Sequence, residues 1–305
     1  MGQLEDMAMF ARIVEAGSMS RAAEQTGIAR SAVSRRLAAL EQSLNTQLLV
    51  RNTRNSTLTD AGSSFYERAK QILADVQELN SETSGSQTQL DGDLRIAAPV
   101  SFGLLHLSGV VNEFAEKYPA LSLHLDFNDR QVDLIEEGLD LAIRIADLKD
   151  SDYLARKIAT IRRVLCASPE YLEAFGSPTV PKDLAAHRIL GYTNTPTSSW
   201  LMEDPDGRRI RVNPPVTISA NNGDYLCAAA RDGLGIGLAP TFIAGPDIKR
   251  GKLVRVLPEY TIPLLGAYVV YPRTRFLSRR ARCFIDFLVA RFGDHPHWDN
   301  FESSS

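Results

Sequence analysis

Apolar positions near the start of the chain recur at helical spacing. Leu4, Met7, Ala8, Ala11 and Val14 stand at i, i+3, i+4, i+7 and i+10, which predicts one buried helical face. Gly17-Ser18 ends that helix and opens a second, short one through Ala22 and Ala23 to Thr26. Gly27-Ile28 predicts a turn, and Val33, Leu37, Leu40 and Leu44 predict a third helix. Two short helices joined by a tight glycine turn inside a three-helix unit form the helix-turn-helix pattern. The next segment, QLLVRNTRNSTLT, reads as two short strands around a polar tip, a wing.

After Asp60-Ala61-Gly62, the residues Phe65, Ala69, Ile72, Val76 and Leu79 alternate spacings of four and three. That is an a/d seam, the pattern of a coiled coil, but it spans barely two heptads and is too short to hold a dimer alone. An amphipathic helix packing on its own domain is the competing reading. From Asn80 to Asp93 the chain is polar apart from Leu90 and reads as a hinge.

The remainder alternates strand and helix signals. Leu94–Ala98 predicts a strand, Ser101–Tyr118 a helix, and Leu121–Phe127, strictly alternating, a strand. A short helix around Val132–Glu137 and a strand over Leu139–Ile145 complete a β-α-β-α-β unit with a mostly parallel sheet. The order recurs: strand Val164–Ala167, helices Pro169–Phe175 and Lys182–Ala186, strand Val216–Ala220, helix Asn222–Asp232 and strand Ile236–Leu238. A strand over Leu264–Tyr271 and a helix over Arg279–Arg291 finish it. Two successive α/β lobes imply a binding crevice between them, at the carboxyl ends of the strands.

Charge changes the picture of the third helix. The whole chain, 305 residues, carries a net charge of −3, so any affinity for nucleic acid must be local. With Val33 at zero and about 100° per residue, Leu37, Leu40 and Leu44 cluster within roughly 40° of it. Ser31, Ser34, Arg35 and Ala38 fall opposite, and Arg30 and Arg36 flank the core side. From Arg30 to Arg54 five arginines, including Arg51 in the wing, face one acid, Glu41, a local charge of +4. Arginine grips guanine with two hydrogen bonds and serine bonds base edges or phosphates, so Arg30, Ser31, Ser34, Arg35 and Arg36 suit a major groove. Arg51 and Arg54 suit phosphate contacts that position without reading sequence.

The run GSMSRAAEQTGIARSAVSRRLAALEQSLNTQLLVRNTRNSTLTDAG, some 46 residues, closely resembles the N-terminal signature of LysR-type transcriptional regulators. The chain departs from that family's usual Ser cap and Gln or Pro at the start of the recognition helix, having Ala29, Arg30 and Ser31. The resemblance implies base contacts by Arg30, Ser31, Ser34 and Arg35, in agreement with the helical wheel. It also implies that Phe65, Ala69, Ile72, Val76 and Leu79 belong to a dimerising linker helix. In the second half GLDLAIRIA, ASPEYLEAFG and RDGLGIGLAP resemble the family's effector domain, which itself looks like a periplasmic binding protein. The implied fold is an N-terminal all-α winged helix-turn-helix, a long linker helix, and α/β with two Rossmann-like lobes.

The implied domains are 1–60 for DNA binding, 61–92 for the linker helix and hinge, and 93–293 for the effector. The first lobe would take 93–160 and 264–293, the second 161–263, with crossings near Thr160 and Pro263; 294–305 reads as a frayed tail. Ser101 opens a helix directly after a strand, where free N–H groups make an anion site. A plain capping serine is the equal alternative at that position. The family places effector contacts at this junction, which maps onto Ser101 and Phe102. Asn222 heads the second lobe's helix in the same way. Arg144 stands in an otherwise apolar strand and reaches either the cleft or an ion pair. The segment TNTPTSSW, with Thr197 and Trp200, lies where the family lines its cleft. The expected effector is a small organic anion.

Other signals carry less. Cys166, Cys227 and Cys283 are scattered and read as buried thiols. Gly233, Gly235 and Gly237 mimic a dinucleotide loop but follow a helix and enter a strand, the reverse of the required order. No metal-ligand spacing, cofactor motif or catalytic constellation is legible, so the expectation is no enzyme and no cofactor. Acidic residues near the start and the lack of an apolar span point to a cytoplasmic protein. The expected partners are double-stranded DNA with an inverted repeat, an effector, further copies in a homodimer or homotetramer, and RNA polymerase where the protein activates. An effector-independent or architectural DNA-binding protein, and a small-molecule enzyme or receptor, are the alternatives.

Overall fold

The computed structural model describes residues 2–51, 56–83, 90–147, 153–194, 199–273, 277–293 and 296–299. The chain divides into two compact units, Met1–Gln89 and Leu90–Ser305.

In the first unit α1 (Gln3–Ala16), α2 (Met19–Thr26) and α3 (Arg30–Leu44) surround one core. Phe10, Ile13, Ala22, Val33, Leu37, Leu40, Leu48 and Leu49 are all buried in it. Each large apolar side chain fully withdrawn from water there contributes about 1.5–3 kcal/mol. Ser18 caps α2 by accepting the N–H of Arg21 at 3.2 Å. The turn between α2 and α3 rests on Gly27, whose φ of 67° is left-handed and disfavours any side chain. Ala29 leaves the start of α3 without a side-chain cap, as its sequence implies.

The wing is the antiparallel pair β1 (Leu49–Arg51) and β2 (Ser56–Leu58), with Leu49 opposite Leu58. Its base is built by Glu41, which is only 9% exposed and accepts the N–H groups of Leu48 at 2.9 Å and Leu49 at 3.2 Å. Helix α4 (Asp60–Thr83) follows, with the Thr59 hydroxyl accepting the Gly62 N–H at 2.9 Å. A Cβ on Gly62 would lie 2.0 Å from the Leu48 carbonyl oxygen, so α4 can approach the wing only through glycine there. The helix runs past Asn80, where the sequence predicts a hinge, to Thr83.

The second unit holds two five-stranded mixed sheets. The first sheet has the order β4-β3-β5-β14-β6. Its strands are β3 (Gly92–Ala98), β4 (Leu121–Phe127), β5 (Leu141–Ala146), β6 (Tyr153–Ile161) and β14 (Leu265–Pro272). Strands β3, β4 and β5 are parallel, and β14 runs against both of its neighbours. The second sheet, β11-β8-β12-β7-β13, repeats the plan with β7 as its reversed strand. It comprises β7 (Arg163–Ala167), β8 (Ile189–Tyr192), β11 (Val216–Ala220), β12 (Ile236–Pro240) and β13 (Val254–Val256). A hairpin, β9 (Trp200–Glu203) with β10 (Arg209–Val212), flanks it.

The helical run from Val100 to Lys117 consists of α5 (Val100–Phe102), a π turn over Gly103–Leu107, and α6 (Ser108–Lys117). It packs on the first sheet with α10 (Arg279–Phe292) through Phe102, Leu107, Phe114, Phe284 and Leu288. The second sheet is covered by α7 (Pro169–Phe175), α8 (Gly223–Arg231) and α9 (Thr241–Lys249). Cys166 and Cys227 are buried together in this core, and a hydrogen bond with Cys166, with burial, pushes the Cys227 thiol up.

Three local expectations change. Residues 134–138 form turns rather than a helix: Asp133 caps the turn by accepting the N–H groups of Ile135 and Glu136, but left-handed Gly138, at φ 64°, ends it at once, with the Leu139 N–H on the Leu134 carbonyl at 2.9 Å. Strand β6 has no apolar alternation to reveal it; its residues 154–157 are exposed at the sheet edge. The tail is not wholly frayed: His297–Asp299 is a 3-10 turn with Trp298 only 7% exposed.

Candidate functional site

Helix α3 turns two chemically different faces. Val33, Leu37 and Leu40 are buried, while Arg30, Ser31, Arg35 and Ala38 are exposed and Ser34 is half-buried beside them. Neither Arg30 nor Arg35 has an ion-pair partner among the described residues. Arg36 differs: it lies 3.6 Å from Glu5 and braces α3 against α1. Glu41, the one acid in the basic segment, turns inward to the wing's base and leaves the outer face cationic. Arg51 ends β1 opposite Ser56, and Arg54 lies outside the described residues.

The seam of α4 divides into two parts. Ala69 is 1% exposed, and Phe65 meets Phe10 edge-on at 5.6 Å, so this end packs on the unit's own core. Further along, Ile72 is 42% and Leu79 60% exposed, with Val76 half-buried. The near end of the seam therefore packs on its own unit, while the far end leaves Ile72 and Leu79 exposed.

In the second unit the segments that follow the carboxyl ends of β3, β4, β8 and β11 meet through side-chain hydrogen bonds, at the position where open α/β sheets bind ligands in a crevice. Ser101 is buried and donates its hydroxyl hydrogen to the Asp224 carboxylate in the first turn of α8. The Val100 N–H, at the start of the helical run, is taken by Asp129 Oδ1 at 3.1 Å. Asn222 caps α8 by accepting the Tyr225 N–H at 2.9 Å, and its amide donates to Asp129 Oδ2 at 3.3 Å. Asn194, just after β8, donates to the Asp129 carbonyl. Burial first, then the charge of Asp129, push the Tyr192 phenol up. Neither Asp129 nor Asp224 has an ion-pair partner among the described residues.

Of the remaining expected effector contacts, two lie in cores, one is taken up by a backbone carbonyl and one is outside the described residues. Phe102 is fully buried among Phe242, Phe292 and Trp298, because its neighbour Ser101 takes the face of the helix that meets the crevice. Trp200 is 9% exposed and fills the second lobe's core with Met202 and Ile236, since it opens a strand whose alternate residues point inward. Arg144 donates to the Val132 carbonyl at 2.7 Å and so steadies the loop that carries Asp129. Thr197 lies outside the described residues. Sequence reasoning missed Asp129, Asn194 and Asp224; the rule that ligands sit at strand carboxyl ends points to all three regions once the strand order is known.

Residues 87–293 match the family model described as the LysR substrate binding domain, and residues 4–63 match that of the bacterial regulatory helix-turn-helix protein, lysR family. The chain belongs to the LysR family of transcriptional regulators. This LysR-type chain is 36% identical over 295 residues to the HTH-type transcriptional regulator DmlR of Escherichia coli (strain K12), covering 96% of this chain and 95% of that one. To the HTH-type transcriptional regulator CrgA of Neisseria meningitidis it is 34% identical over 293 residues, with 95% and 97% covered. Among solved structures it is similar to full-length AphB, a Vibrio cholerae virulence activator, at 30% identity and a TM-score of 0.59, covering 95% and 99%. The CrgA structure matches at 33% identity and the same TM-score, 0.59, covering 94% and 97%. The LysR-type chain is thus a DNA-binding transcriptional regulator with an effector-binding domain, and not an enzyme. No helix among the described residues is long and apolar enough to cross a membrane.

Proposed function

We propose that this regulator acts in the cytoplasm as a homodimer, or a tetramer built from dimers, on an inverted-repeat operator. Arg30, Ser31, Ser34 and Arg35 read base edges in the major groove, while Arg51 and Arg54 hold phosphates. Arg36 joins them only at the margin, since Glu5 already engages it. Half-sites lie about one helical turn apart, roughly 34–36 Å. The exposed half of the α4 seam supplies part of the dimer contact. Where the protein activates, RNA polymerase is a further partner.

The observation that carries this reading is the exposed, unpaired Arg30 and Arg35 on α3, backed by a buried apolar face. The experiment compares binding to the protein's own upstream DNA and to random DNA at two salt concentrations, with Arg35→Ala alongside. The native site is expected to bind at least a thousandfold tighter than random DNA. Arg35→Ala loses about 1–3 kcal/mol of that preference and keeps a salt-dependent, sequence-blind affinity. Equal loss on both DNAs would make Arg35 a phosphate contact and move the architectural reading ahead.

The effector sits in the crevice between Ser101, Asp129, Asn194 and Asn222, and shifts pre-existing lobe arrangements that bias DNA-bound states. An organic anion, the class expected from the free helix N–H groups, enters only by displacing Asp129 from Val100. The two unpaired carboxylates favour a second class: an effector carrying a protonated amine or another strong donor.

A further inference from the structure

The C-terminal turn makes contacts that loose chain ends rarely make. The Trp298 ring lies 4.5 Å from His106 and 5.7 Å from Phe102 in the first lobe's helical run, and 5.7 Å from Phe292 of α10. It also lies 6.2 Å from Phe242 of α9, in the second lobe. Phe242 is thereby part of the first lobe's core cluster, and Trp298 completes that bridge. The next residue, Asp299, accepts the Thr241 hydroxyl at 2.7 Å and forms an ion pair with Arg162.

Arg162 is the single residue between β6, which ends at Ile161, and β7, which begins at Arg163. It therefore sits where the chain crosses from one sheet to the other. Its carbonyl accepts both the N–H of Thr241, at 2.9 Å, and that residue's hydroxyl, at 3.2 Å. The return crossing is bound to the same place, because the half-buried Arg163 guanidinium donates to the Pro263 carbonyl at 3.1 Å. Reorientation of two lobes about such crossings requires their few residues to change φ and ψ. A carboxylate fastened to one of them, on a chain whose previous residue is wedged among rings of both lobes, opposes that change. The link to the crevice is short: Phe102, against Trp298, is the neighbour of Ser101, which bonds Asp224 across the crevice.

We propose that residues 296–299 form a clasp at the hinge, in which Trp298 and Asp299 hold the two lobes in their present setting and so regulate opening of the effector crevice. The proposal rests on the reading that an effector works by resetting the lobes, but its test needs no effector. The experiment is amide hydrogen exchange on the full chain, comparing the native protein with Asp299→Ala, Trp298→Ala and a deletion of residues 294–305.

The decisive amides are those of Val100 and Tyr225; each is bonded within its own lobe, to Asp129 and to Asn222, the two residues that bond each other between the lobes, and neither touches the tail. Expected is exchange about tenfold faster at both in Asp299→Ala, the scale of a lost charged hydrogen bond, and faster again in the deletion. Amides of the sheet interiors, such as Ile143 and Leu165, should keep their native rates. The proposal is overturned if the crevice amides keep native rates while only the segment under Trp298, residues 102–107, exchanges faster. If Trp298→Ala loosens the sheet amides as well, it has damaged the core, and Asp299→Ala, which leaves the rings packed, decides the matter.

Discussion

Glu41 shows how one residue can change its meaning between sequence and structure. In the sequence it is the acid that dilutes a basic segment. In the fold its carboxylate is nearly buried and receives two N–H groups from the start of the wing. A carboxylate that accepts backbone N–H groups in a sheltered site makes strong bonds, and its loss leaves donors buried without a partner. Glu41→Ala is expected to destabilise the first unit by about 1–3 kcal/mol, measured by denaturant unfolding. Glu41→Gln, which keeps one acceptor oxygen, should recover part of the loss. Equal stability of all three proteins would mean that the wing does not depend on this bond. Arg36 makes the complementary point, since its pairing with Glu5 draws it toward α1 and leaves it at the margin of the arginines that α3 offers outward.

At the scale of the element, α4 changes its surroundings along one stripe. Its first turns bury Ala69 and set Phe65 against Phe10, and later turns leave Ile72 exposed. Ile72→Glu is expected to shift the protein toward monomers in analytical ultracentrifugation while leaving the folded first unit intact. Ala69→Glu should instead unfold that unit, because a charge enters a site that is 1% exposed. An Ile72→Glu protein that keeps its native mass would remove this stripe from the dimer contact. The a/d spacing was legible in the sequence. Which end turns inward was not, because the spacing is the same whether the neighbour is α1 or another chain.

The whole molecule adds what no single element holds. Two similar sheets present the carboxyl ends of their strands to one crevice, and loops distant in sequence bring Asp129 to Val100, Asn194 and Asn222. If Asp129 competes with an anionic guest for the Val100 N–H, Asp129→Asn should raise affinity for small dicarboxylates in calorimetry. If instead the guest brings an amine, the same change should weaken it by about tenfold, the loss of one charge-assisted bond. No change for either class would place the effector elsewhere.

Sequence alone left β8, β9, β10, β13 and α9 unread but determined the three helices, the wing, the seam's spacing and part of the alternation of strands and helices. Each of these depends on the local period of apolar residues and on glycine or serine at the ends. It also marked Arg30, Ser31 and Arg35, because on a single helix the side opposite a buried stripe is fixed by geometry. Tertiary structure alone decided the reversed strands β7 and β14, the exposed edge strand β6 and the docking of Trp298. It also decided that Phe102 and Trp200 belong to cores while Asp129 and Asp224 face the crevice. Those outcomes depend on which distant segments meet, and a contact between residues a hundred positions apart leaves no periodic trace in either of them.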